Sequence, residues 1–407
     1  MAGRLRRLLV YSGVSGLDLD PLASRLAREL GAGHAKYEAI VEERMKAPIY
    51  HVAELLLANY HGVAEELRRA FWDMVEEASR EEDAIVTMHL VYYRRHNPIM
   101  NPALVELHRL AARGVEVSIV DMVDDYYHIV YRIAERVARG ETPGVTGFQV
   151  LDPASLVSWR SAHNSASQLL LMHGVKVYSY ALKHTWTGHM RLASMLLGRT
   201  PEGGGRYDTV YISHPISKVR ARAAAEGAEL WSYPDAVEIE EFKRMLEEQC
   251  PRLVVLSPTS VDELIPGDGA LATRIGRENR WPHPGNGVHE FPYPVDLAAK
   301  PPAELIYPAS DTVANPGYMK MLRALVEASI ERRDLSYVAQ ADYIVAYRPS
   351  MYGERHYGVD MEVNKAVNMG KPVYSVVPPG EEPGYRLFTF MYMLRSPEEL
   401  IRALRCP

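Results

Sequence analysis

Short apolar runs recur along the chain, each followed by a stretch whose apolar positions return every three or four residues. That alternation predicts buried strands joined by amphipathic helices. In the first half, Leu8–Tyr11 reads as a buried strand, followed by a glycine-containing turn and a helix from about Pro21 to Leu30. A long amphipathic stretch covers about Val52 to Arg80, and Asp83–Met88 is the next strand. A helix from about Ala103 to Arg113 stops at Gly114, the residue type that closes helices most readily. Val115–Val120 follows as a strand with Asp121, Asp124 and Asp125 just beyond it, then a helix from Pro153 to about Met172 and a strand at Val175–Tyr180.

The alternation restarts after Gly198–Arg206, where three consecutive glycines follow a proline, a composition suited to a linker. Strands are expected at Thr209–Ser213, Leu253–Leu256, Tyr343–Tyr347 and Pro372–Val377. Helices are expected at Lys218–Glu226, about Gly317–Ser329, up to about Met369, and from Ser396-Pro397-Glu398-Glu399, an N-cap with acids in the first turn. The fold expected is α/β, with two domains (1–198 and 207–407), each a mostly parallel, doubly wound sheet flanked by helices. The proline- and glycine-rich stretch at about 257–316 reads as an insertion, and a loop of that length suits a lid or a surface for a macromolecular partner.

Composition narrows the function. The chain has 407 residues, 24% of them charged, and a formal net charge of −6, so it has no whole-molecule basic field for nucleic acid. No run approaches the roughly 18 apolar residues of a membrane helix, and the N-terminal apolar run is too short for a secretory signal, so a cytoplasmic protein without a membrane partner is expected. Cys250 and Cys406 are too far apart in sequence to suggest a disulfide framework or a zinc site. The excess of arginine, scarce glutamine and plentiful proline fit a hot environment; a genomic base bias produces the same arginine excess.

Between the first strand and helix stands Ser12-Gly13-Val14-Ser15-Gly16-Leu17-Asp18-Leu19-Asp20. With Thr87-Met88-His89 and Ser158-Trp159-Arg160, it makes roughly the first 195 residues resemble P-loop nucleotide kinases. Gly13 and Gly16 match the first two glycines of that loop, while Asp18, Leu19 and Asp20 stand where the third glycine, the lysine and the magnesium-holding hydroxyl belong. Two aspartates repel phosphates instead of attracting them. The resemblance therefore implies a pseudokinase acting as a scaffold or as a binder of an uncharged or cationic ligand; a tight strand-to-helix turn accounts for the two glycines equally well.

In the second half, Tyr211-Ile212-Ser213-His214-Pro215, Asp334-Leu335, Gly358-Val359-Asp360-Met361-Glu362 and Gly370-Lys371-Pro372-Val373 occur in an order that resembles the nucleoside 2-deoxyribosyltransferase and nucleotide N-glycosidase family over about residues 207–380. The resemblance implies that Glu362 is a nucleophile, Asp334 an acid/base group and Tyr211 a phenol orienting the nucleophile. It also implies substrate contacts from Ser213, Pro215, Gly358, Asp360, Arg355 and His356, the last two suiting a 5′-phosphate. A carboxylate stabilises or traps the oxocarbenium-like sugar while an acid protonates the leaving base. Glu362 is expected in the first turn of its helix, ionised by the helix dipole. Val359 and His356 depart from the family pattern, and a carboxylate near a helix start is common for capping alone. Asp342 reads as a turn residue at the opposite sheet end. Thr259, Asp262 and Glu263 read chiefly as caps; His283, His289 and Glu290 lack metal-site spacing, and His34, His51, His61, His163 and His189 read as surface or satisfied core residues.

Two functional readings follow. One is a nucleoside- or nucleotide-binding protein that cleaves or transfers at the N-glycosidic bond, without metal or cofactor, as a homo-oligomer. The other is a non-catalytic nucleotide sensor or scaffold.

Overall fold

The computed structural model describes residues 5–94, 97–125, 129, 132–133, 136, 153–228, 230–261, 316–381 and 391–406. The chain divides into two compact units, the first running to Lys183 and the second starting at His184. Both are α/β with parallel sheets, as the alternation predicts.

The first unit contains β1 (Arg7–Ser12), α1 (Leu19–Leu30), β2 (Gly33–Lys36), α2 (Tyr37–Met45), α3 (Ile49–Ala58), α4 (Tyr60–Ala78), β3 (Asp83–Thr87), β4 (Val91–Arg94), β5 (Asn97–Met100), α5 (Leu104–Ala112), β6 (Glu116–Val123), α6 (Pro153–Met172) and β7 (Lys176–Ala181). Five strands form a parallel sheet in the order β2-β3-β1-β6-β7, and β4 and β5 form a separate antiparallel pair. Leu8 to Ser12 of β1 are all buried, as expected for a central strand covered on both faces. Leu22, Ala23, Leu26 and Ala27 give α1 one buried stripe; burying a leucine contributes about 1.5–3 kcal/mol. The helix expected over about Val52 to Arg80 is two helices. Asn59 stands between them at φ −145° and its side chain accepts from the Gly62 N–H at 3.4 Å, a cap that competes with helix continuation.

The second unit contains α7 (Trp186–Leu196), β8 (Asp208–Ser213), α8 (Ile216–Ala225), α9 (Pro234–Gln249), β9 (Leu253–Leu256), the end of α10 (Pro316–Gln340) from Glu331 onward, β10 (Tyr343–Tyr347), α11 (Tyr357–Asn368), β11 (Val373–Val376), β12 (Tyr392–Leu394) and α12 (Pro397–Ala403). The Gly-rich run lies inside this unit. Arg191 of α7 donates to the carbonyls of Glu247, Leu253 and Cys250 at 2.9, 3.1 and 3.3 Å, so α7 is tied to α9 and β9. The sheet order is β9-β8-β10-β11-β12, all parallel. Alternation along β8 sends Val210 and Ile212 into a core with Phe242, Leu246, Val255 and Val345, and leaves Tyr211 and Ser213 on the other face. Phe242 and Tyr347 stack there with centroids 3.9 Å apart.

Cys250 and Cys406 form a disulfide with Cα atoms 5.0 Å apart, which corrects the expectation drawn from their separation of 156 residues. Chain folding, not sequence proximity, brings the end of α9 to the segment after α12. At the amino ends of the strands, Asp342 accepts from the Thr209 backbone N–H (2.7 Å) and hydroxyl (2.9 Å). The Thr209 hydroxyl also reaches the Gln340 carbonyl at 3.1 Å, so Asp342→Ala strands only the backbone donor and is expected to cost about 1–3 kcal/mol in urea unfolding while leaving ligand binding unchanged.

Candidate functional site

The order β9-β8-β10-β11-β12 is the 2-1-3-4-5 arrangement of doubly wound sheets, whose connections diverge between the first and third strands, here β8 and β10. Ligands of such sheets bind beyond the carboxyl ends of the strands at that divergence. Register pairs Tyr211 with Ile344 and Ser213 with Ala346, which sets the upper end of β8 beside that of β10. The chain then runs through the loop after β10 into α11, which packs against both strands and carries Glu362.

Glu362 is 6% exposed. Tyr211 Oη donates to its Oε1 at 2.8 Å, and Ser213 Oγ donates to its Oε2. Burial, followed by the charges of Glu362 and Asp334, holds the Tyr211 phenol well above its ordinary range, so it is a neutral donor. Burial and then the charge of Asp334 push Glu362 up to about 8, against the pull of its two hydroxyl donors. This corrects the expectation of a dipole-ionised carboxylate. The helix starts at Tyr357, so Glu362 lies beyond the first turn, where the macrodipole has faded, and Asp360 is the first-turn acid. Asp334 is buried at the end of α10 and its Oδ1 accepts from Nε and Nη2 of Arg333 at 3.1 and 3.0 Å. The negative charge of Asp334 thus disfavours ionisation of Glu362, and a proton on Glu362 relieves that repulsion.

The other sequence candidates scatter around this pair. Pro215 is buried at the start of α8, and Gly358 lies in the exposed first turn of α11. His356 is buried and bonds the Met351 carbonyl through Nε2 at 2.9 Å, so that N–H is committed to its own loop. The Arg355 side chain is 70% exposed and reaches Asp360 at 3.5 Å; burial raises the Asp360 carboxyl, with Arg355 opposing. Thr259 joins a buried cluster instead, donating to Glu240 at 3.1 Å beside Lys243. Sequence reasoning missed the role of Ser213 as a second donor to Glu362; its place two residues after Tyr211, on the same strand face, is the signal. It also passed over His214, whose two ring nitrogens are buried with no partner among the described residues and whose imidazole burial holds well below its ordinary range. Asp262, Glu263, His283, His289, Glu290 and most of the insertion lie outside the described residues.

In the first unit, Gly13 and Gly16 follow β1. A Cβ on Gly13 would meet the Met122 carbonyl oxygen at 2.9 Å, and Gly16 takes φ +91° with the Ile129 carbonyl oxygen 3.0 Å from the Cβ position, so packing and backbone conformation require both. Around them, residues at the carboxyl ends of β1, β2 and β3 line a cavity of about 490 Å³. Asp18 pairs with Arg136, and the Thr87 hydroxyl donates to Asp20 at 3.2 Å. The His34 hydrogen bond chiefly, with Lys36 assisting, holds Asp20 below the usual carboxylate range despite partial burial. Among the described residues no group of three or more His, Cys, Asp or Glu side chains is placed to hold a metal ion, and no helix is long and apolar enough to cross a membrane.

No protein-family model matches the chain, and no curated protein matches it. Among solved structures, a shikimate kinase from Bacteroides thetaiotaomicron is similar to the N-terminal part, with 16% identity and a TM-score of 0.32, over 47% of this chain and 98% of that one.

Proposed function

We propose that the second unit binds a nucleoside or nucleotide and cleaves its N-glycosidic bond, with Glu362 as nucleophile. The observation that carries this reading is a buried carboxylate with both oxygens held by hydroxyl donors, Tyr211 and Ser213, on the strand that borders the divergence of the sheet. The two donors fix the carboxylate's rotation, so little is lost in orienting it for attack. Ionised Glu362 attacks C1′ as the bond to the base breaks, and Asp334, carrying the one proton of the pair at that moment, gives it to the departing base. Water, or a second base, then releases the sugar from Glu362.

The pH dependence follows from the one proton of the pair. Glu362 is competent only when ionised, and burial beside Asp334 raises it to about 8. The competent state needs Glu362 ionised and one proton left on the pair for the base, so base release is expected to fall as pH rises through about 8, a fall that an unperturbed glutamate would not give there. Chromatography of free base from a panel of ribo- and deoxyribonucleosides and their 5′-monophosphates checks both points. Tyr211→Phe removes one hydrogen bond to a charged group and is expected to slow release by about 10- to 100-fold. Absence of release from every member, with the protein folded and binding one of them, would favour the sensor reading, for which the inward-turned His356 speaks.

A further inference from the structure

Two Ser–His–carboxylate relays lie in the first unit, and only one faces space. In the closed one, Ser12 Oγ is 2.9 Å from His163 Nε2, and His163 Nδ1 is 2.9 Å from Asp121 Oδ1. Ser12 Oγ also accepts the Leu90 backbone N–H at 3.2 Å, and the Ser167 hydroxyl reaches Asp121 at 3.3 Å. Ser12, His163 and Asp121 are all buried and none lines the cavity beside them. This relay is a satisfied polar bolt holding β1, β6 and α6 together.

The open relay is built from three strand ends. Ser15, in the turn after β1, places Oγ 3.2 Å from His89 Nε2; His89, after β3, places Nδ1 2.9 Å from Oε1 of Glu38, which lies just after β2. A carboxylate only accepts, so Nδ1 carries the proton and Nε2 is left to accept from the Ser15 hydroxyl. The same Glu38 oxygen accepts the His89 backbone N–H at 2.7 Å, which fixes carboxylate and ring against each other. Ser15, His89 and Glu38 all line the cavity of about 490 Å³, and so do Leu19, Asp20 and Pro21 at the start of α1. Four acids (Asp18, Asp20, Glu38 and Glu42) share the walls with Lys36 and Arg136, so the cavity disfavours anionic ligands.

We propose that the first unit holds a serine-nucleophile site, Ser15–His89–Glu38, that hydrolyses a small uncharged or cationic carboxylic ester. Ser15 Oγ bonds to the ester carbonyl carbon as its proton passes to His89 Nε2. The ester C–O bond breaks, and the departing alcohol takes that proton. Water then gives a proton to His89 and its oxygen to the carbonyl carbon. The bond to Ser15 breaks, Ser15 recovers the proton and a carboxylic acid leaves. Glu38 acts by holding the tautomer of His89.

The test is covalent labelling of the full chain by an uncharged alkyl fluorophosphonate, read by intact mass and peptide mapping. One adduct per chain on Ser15 is expected, absent from Ser15→Ala, and formed at least about 100-fold more slowly in His89→Gln. Hydrolysis of 4-nitrophenyl acetate should follow the same order. No adduct on Ser15 in the folded wild type, an adduct on Ser12 or elsewhere, or a labelling rate indifferent to His89→Gln in a protein that melts like wild type would each overturn the assignment.

Discussion

Glu362→Gln is expected to lower base release by at least about 1,000-fold while making the protein more stable above neutral pH, a pairing that a merely structural residue would not produce. The loss follows because an amide neither attacks C1′ nor carries the negative charge that steadies the sugar. The gain follows from linkage. Glu362 is raised from about 4.5 to about 8 by burial and Asp334, so between those values the folded chain holds a proton that the unfolded chain has released. Its contribution is fully present below about pH 4.5 and is lost as pH rises through about 8. Glutamine does not titrate and removes that slope. Urea unfolding at pH 5, 7 and 9 checks it: the variant should overtake wild type toward pH 9. Parallel curves for the two proteins would sink the account of the carboxyl pair, and unchanged base release would sink the nucleophile.

Replacing both Cys250 and Cys406 by alanine is expected to cost about 4–5 kcal/mol in the chain-entropy picture, because the bond closes a loop of 156 residues in the unfolded chain. The loop spans β9 through α12, so the whole second sheet except β8 lies within it. Denaturant midpoints with and without reductant give the number: wild type should fall to the variant's midpoint when reduced, and the variant should not respond. Equal midpoints for oxidised and reduced wild type would show that the bond adds no stability. Because Cys250 is fully buried, alanine serves better than serine, which would leave an unpaired hydroxyl in the core.

The fold class was legible because buried parallel strands write themselves as unbroken apolar runs, as at Leu8–Tyr11 and Leu253–Leu256. Tyr211 and Glu362 were legible as a pair only through their place in an ordered set of motifs; nothing local connects residues 151 apart. The start of α11 was not legible, since His356 occupies the N-cap without a side-chain cap hydrogen bond, and Glu362 was therefore placed a turn too early. The turn after Val52 was missed for the opposite reason: Asn59 is a cap residue, but it stands inside an otherwise continuous amphipathic pattern. Neither relay in the first unit could be read, because sheet order alone brings Ser15 to His89 across 74 residues and His89 to Glu38 across 51. The disulfide shares that character.

All pairings in both five-stranded sheets are parallel, and that has a kinetic consequence. No hairpin can seed either sheet, so every pairing must first close a long stretch of chain, which slows assembly. The contact between Thr209 and Asp342 that aligns β8 with β10 spans 133 residues, and the Tyr211–Glu362 hydrogen bond that depends on this alignment spans more. During refolding the second unit should therefore gain helical signal well before its site exists. Ligand affinity should be the last property to return, trailing far-ultraviolet circular dichroism; simultaneous recovery would mean that the sheet and its site form in one step.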